Sequence, residues 1–105
     1  MEIFEILNQI EQSLTLKDEL TESLFKINIE LATKKRNHRI ALAENLVRFQ
    51  NQKNSKELAY SKLSEEIYDI EILEEKKMYL YNKLVNTRQE LNILSVLLKN
   101  EKELM

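Results

Sequence analysis

The sequence predicts an all-α protein: a long antiparallel helical hairpin of coiled-coil character that associates into a helical bundle. Three observations carry that reading. Apolar residues recur with a period near 3.6 almost throughout, the signature of a helix with one buried face. No segment alternates apolar and polar residues for long enough to make a strand. The 105 residues include no Gly and no Pro, so nothing in the chain breaks a helix.

The elements follow in chain order as one domain, 1–105. Residues 1–14 carry Ile3, Phe4, Ile6, Leu7 and Ile10 in helical spacing. They form a segment either continuous with the next helix or hinged at Ser13–Thr15. A helix over 15–49 starts from Thr15, which makes a capping-box pattern with Asp18, and Glu19 adds a favourable charge to the first turn. Its apolar positions are Leu20, Leu24, Ile27, Leu31, His38, Leu42, Leu46 and Phe49. A flanking row of Phe25, Ile29, Ala32, Ile40, Ala43 and Val47 widens the stripe. Residues 50–55, Gln-Asn-Gln-Lys-Asn-Ser, contain no apolar side chain and mark the chain reversal. A short helical piece over 56–61 follows. A final helix over 64–100 opens on Ser64 as cap, with Glu65 and Glu66 in its first turn and Leu63 able to staple onto Tyr68. Its stripe runs through Ile70, Leu73, Leu80, Leu84, Leu91, Leu94 and Leu98. Both stripes are wider than a coiled-coil seam, so apolar surface remains after the helices pair. Folding back of residues 1–14 and association of chains are both expected to cover it.

Composition removes many functions. Without Gly there is no phosphate-cradling glycine loop and no strained nucleophile elbow. Without Cys there is no disulfide framework, thiol nucleophile or thiolate zinc site. One His and no Glu-x-x-His leave no histidine metal cluster and no di-iron motif. Glu65/Glu66 and Glu74/Glu75 are adjacent in sequence and point to different faces. No nucleophile–base pair is visible, so the chain reads as a non-enzyme with no cofactor.

Formal net charge is −2, which argues against a protein that coats DNA. The charge is nonetheless segregated: residues 1–33 carry −5, residues 34–62 carry +6 and residues 63–105 carry −3. The N-terminus, Met-Glu-Ile-Phe-Glu, has no basic n-region of a secretory signal. The most apolar run, Ile93 to Leu98, is far short of the about 20 residues that span a bilayer. The expected location is the cytoplasm, with no membrane contact.

The basic run supplies the candidate ligand-binding residues: Lys34, Lys35, Arg36, His38 and Arg39. Such a cluster suits phosphate, in nucleic acid or a nucleotide. The competing reading pairs it with Glu71, Glu74 and Glu75 across the hairpin, as flanking charges do in coiled coils. His38 lies in the apolar stripe, where a hydrogen bond across the seam accounts for it. Tyr60, Tyr68, Tyr79 and Tyr81 could stack on bases, but at helical spacing they fit a core rim with the hydroxyl in water.

From Arg39 onward, Arg39-Ile40-Ala41-Leu42-Ala43-Glu44, Leu58-Ala59-Tyr60, Ser64-Glu65-Glu66-Ile67 and the tail Leu91 to Leu98 form a further pattern. It resembles a family of small helical proteins common in phages and prophages of Gram-positive bacteria. Members usually carry Gly or Pro in the loop, where this chain has Gln50–Ser55. The resemblance implies a phage accessory protein and carries over no catalytic residue. The resemblance also implies a bacterial host cell. Expected partners are a second copy of the chain and a host or phage protein, one that is blocked or recruited in counter-defence. The alternative partner is nucleic acid or a nucleotide.

Overall fold

The computed structural model describes residues 2–104. They form three helices and, among the described residues, no strand: α1 (Ile3–Arg48), α2 (Ser55–Lys62) and α3 (Ser64–Glu103). The chain divides into two compact units. The first joins Met1–Phe25 with Met78–Met105, and the second is Lys26–Lys77.

Helix α1 takes the first of the two alternatives at Ser13–Thr15, a continuous helix. Residues 3–14 continue the helix and do not fold back, and Thr15 is interior to it, not a cap. Its hydroxyl donates to the Glu11 carbonyl at 3.1 Å. This is the usual outlet for a hydroxyl inside a helix, and it leaves the intrahelical ladder intact. The helix starts instead at Glu2, whose carbonyl accepts from Ile6 N–H at 3.0 Å, and Glu5 sits in the first turn where the helix dipole favours it.

In α1 the positions at least half-buried include Ile3, Ile6, Ile10, Ser13, Lys17, Leu20, Leu24, Ile27, Leu31, Lys34, His38, Ala41 and Asn45. Steps of three and four alternate along this set, which is the 3.5-residue repeat of a coiled-coil seam. On α3, Ile70, Leu73, Leu80, Leu84, Thr87, Leu91, Leu94, Leu98 and Glu101 keep the same rhythm. The covered stripe is therefore narrower than the apolar pattern. The flanking row Phe25, Ile29, Ala32, Ile40, Ala43 and Val47 stays exposed.

In the first unit Ile6, Leu20, Leu84 and Leu94 are buried. Thr87 is buried among them and satisfies its hydroxyl on the Lys83 carbonyl at 2.8 Å. In the second unit the buried apolar residues are Ile27, Leu31, Ala59 and Leu63.

The reversal needs no glycine. Gln50 N–H bonds to the Val47 carbonyl at 3.3 Å and Gln52 N–H to the Phe49 carbonyl at 2.9 Å, and no described residue has a positive φ. Helix α2 then lays the fully buried Ala59 against the second unit, where a methyl lets the backbone come close. Only Leu63 separates α2 from α3. Its carbonyl accepts from Ile67 N–H at 3.1 Å, so Leu63 takes the cap position expected of Ser64. Tyr68 is 62% exposed and does not staple the entry.

Candidate functional site

The basic run lies wholly within the second unit, and helical geometry spreads it over several directions. Lys35 Nζ meets Glu74 Oε1 at 2.6 Å, the distance of a charge-assisted hydrogen bond. That bond, and then the lysine charge itself, hold the Glu74 carboxyl below its ordinary range, with Lys77 adding to the effect. His38 Nδ1 lies 3.4 Å from Glu66 Oε2, and Lys34 Nζ lies 4.0 Å from Asp69 Oδ2. The partners on α3 are thus Glu66, Asp69 and Glu74. Of the three acids expected, only Glu74 takes part in these pairs. Asp69 and Glu66 lie nearer the reversal than the acids expected.

Two clefts flank these pairs. One, of about 450 Å³, is lined by Ala32, Lys35, His38, Arg39, Ile67, Ile70 and Glu71. The other, of about 240 Å³, is lined by Lys34, Asn37, Glu66, Asp69 and Ile70. Lys34 therefore serves one side of the seam while Lys35 and Arg39 serve the other. Arg36 lines neither. Arg36 and Arg39 are exposed and have no acid partner among the described residues. The five candidates do not converge on one anion-sized point. Only Lys35, His38 and Arg39 share a cleft, and there Lys35 is held by Glu74 and Glu71 is a fourth charged neighbour.

A surface that the sequence reading passed over lies on α3 within the first unit. Tyr79, Asn82, Asn86, Gln89, Ile93, Val96 and Asn100 step along the helix by three and four, all exposed and all uncharged. Tyr79, Ile93 and Val96 are about 60% exposed. The signal was available: a charge-free ladder at seam spacing on a helix otherwise rich in Lys and Glu. It was hidden because Tyr79 was weighed only as a base-stacking or core-rim residue, and Ile93 and Val96 only as part of the apolar run Ile93 to Leu98. Two asparagines and a glutamine, Asn82, Asn86 and Gln89, run through its middle, as polar residues that set register do in coiled coils.

Among the described residues no group of His, Asp and Glu is placed to hold a metal ion. No helix of the described chain is long and apolar enough to cross a membrane. No family model, curated protein or solved structure matches the chain.

Proposed function

We propose that this chain acts by binding a protein partner, without catalysis, through the uncharged ladder on α3. The observation that carries the reading is the ladder itself: seven exposed, uncharged residues from Tyr79 to Asn100 at the spacing that packs helix on helix. A surface of that kind fits an amphipathic helix of the partner laid along it. Self-association belongs to the same reading. Among the described residues, nineteen large apolar side chains are exposed against eight buried apolar ones, an imbalance that association would reduce. The resemblance to phage and prophage proteins supplies the setting, in which the partner is a host or phage protein that is blocked or recruited.

The test is capture of partners from cells of a Gram-positive host with the wild-type chain and with Ile93→Asp/Val96→Asp. Expected is a partner retained by the wild type and lost by the variant, with helicity unchanged by circular dichroism. Equal capture by both chains refutes the ladder as the contact surface.

A second reading, a nucleic-acid or nucleotide binder, is favoured by the two unpaired cations Arg36 and Arg39. It requires affinity for DNA, RNA or a nucleotide that falls steeply with salt and disappears in Arg36→Glu/Arg39→Glu.

A further inference from the structure

One flank of the first unit is acidic and apolar on one helix and basic on the other. On α1 it presents Phe4, Leu7, Leu14 and Phe25 with Glu11 and Asp18, all exposed. On α3 it presents Tyr81, Arg88, Asn92, Ser95, Lys99 and Lys102, also exposed. Each of these residues follows a seam residue by one position, as Phe4 follows Ile3 and Lys99 follows Leu98. The chain reverses between the two stretches, so they run antiparallel. One step along a right-handed helix turns about 100°, and on two helices that face each other and run oppositely it turns to the same side of the seam. The two rows therefore border one side of the unit. They share no residue with the uncharged ladder.

Three features of this flank call for a cover. Phe4 is 79% exposed and Phe25 65%. The charges are fully sorted, and Glu11, Asp18, Arg88, Lys99 and Lys102 have no ion-pair partner among the described residues. A cleft of about 360 Å³ opens in the last turns of α3, lined by Ser95, Leu98, Lys99, Lys102 and Glu103. Leu98 is its one apolar residue and Glu103 its one acid.

We infer that a second copy of this chain docks its first unit on this flank, about a two-fold axis parallel to the helices. Such an axis lays α1 of each copy antiparallel on α3 of the other at the same level, so that the acidic row meets the basic row twice. Phe4 lies near the start of α1 and the cleft near the end of α3, which is one end of an antiparallel pair. Phe4 of the second copy therefore comes over the cleft and sets its ring on Leu98, between the stems and ammonium groups of Lys99 and Lys102. The same contact is made in both directions, so it is isologous and closes as a dimer. A two-fold axis across the helices would lay α1 on α1 and α3 on α3, and like charges across an interface oppose it. The acidic row repels a polyanion and the basic row a polycation, so a flank that carries both suits another of its own kind.

The inference rests on the self-association proposed above and names its surface and symmetry. The experiment is sedimentation equilibrium on the full chain. It compares wild type with Glu11→Lys/Asp18→Lys, with Arg88→Glu/Lys99→Glu, with all four changes together, and with Phe4→Ala. Wild type should dimerise in the micromolar range. Each paired reversal should weaken the dimer by about tenfold or more, because the symmetry sets like charges together on both halves. The variant with all four changes should recover it. An equimolar mixture of the two paired reversals should form a heterodimer that neither forms alone. Phe4→Ala alters no charge and should weaken the dimer by about fivefold or more. Circular dichroism checks that each variant keeps its helicity. An association that ignores both reversals and Phe4→Ala overturns this surface while self-association stands. Weakening by both reversals with rescue in neither the combined variant nor the mixture overturns the pairing of α1 with α3. A wild-type monomer at about 100 µM, where a micromolar dimer would be almost fully formed, overturns the inference and self-association together. None of these outcomes touches the uncharged ladder, whose test uses different residues.

Discussion

Ile93 and Leu94 are neighbours in sequence and opposites in the fold, which makes them a direct test of the phase of α3. Leu94 is 4% exposed and Ile93 is 61% exposed. Leu94→Ala removes three carbon atoms from a buried position. At about 0.8 kcal/mol per buried carbon the transfer loss is about 2.4 kcal/mol. A cavity adds to it, but water or neighbouring side chains can enter a two-helix seam more easily than a globular core. We therefore expect about 2.5–3.5 kcal/mol, in the lower part of the range for core leucines. Ile93→Ala removes surface that is already mostly wet and should cost less than about 0.5 kcal/mol, apart from a small gain in helix propensity. The assay is urea unfolding followed by circular dichroism at 222 nm, at one protein concentration for all variants so that association does not enter the comparison. Equal losses at the two positions, or a larger loss at Ile93, would show that the seam runs along another face of α3.

Thr87→Val should leave stability within about 1 kcal/mol of wild type or raise it, because the hydroxyl bonds only within its own helix and the new methyl keeps the shape; a larger loss in the same urea assay would mean that the hydroxyl acts across the seam. The Glu74 carboxyl, held low by Lys35, contributes stability above its unfolded-state pKa that is lost as pH falls through the folded value. Carboxyl NMR titration should place it below the ordinary glutamate value and return it toward that value in Lys35→Met, with the shift shrinking in high salt; a titration unmoved by that substitution would remove the ion pair from the account. Far-UV circular dichroism should show a predominantly helical spectrum, and clear β-structure would contradict the fold.

Periodicity alone was enough to read much of the apolar part of the seam. Leu20, Ile27, Leu31, Leu84 and Leu94 are all buried, and each stood in a predicted stripe. The width of the stripe was misleading, because hydrophobicity records what a residue could bury, whereas two helices can cover only a narrow strip of each other. Ser13 and Thr87 show the converse: both are buried polar residues whose place came from position in the repeat, not from their own character. Thr15 was read as a cap because its side chain can end a helix, but the same hydroxyl can bond back inside one, and local sequence does not choose between them. The ion pairs were legible only in part: Lys35 meets Glu74, one of the acids expected, whereas Lys34 and His38 reach Asp69 and Glu66, which lie nearer the reversal.

The register of the second unit is the point on which the structural account depends most, and zero-length cross-linking reads it directly. A carbodiimide joins a lysine amine to a carboxylate only where the two touch, with loss of water and no spacer. A mixture of ¹⁴N- and ¹⁵N-labelled chains separates links within one chain from links between two. Peptide mass spectrometry should find Lys35 joined to Glu74 within one chain, as the strongest link from the basic run. Links from Lys35 confined to mixed-isotope pairs, or running to acids of the first unit instead of Glu74, would contradict the account.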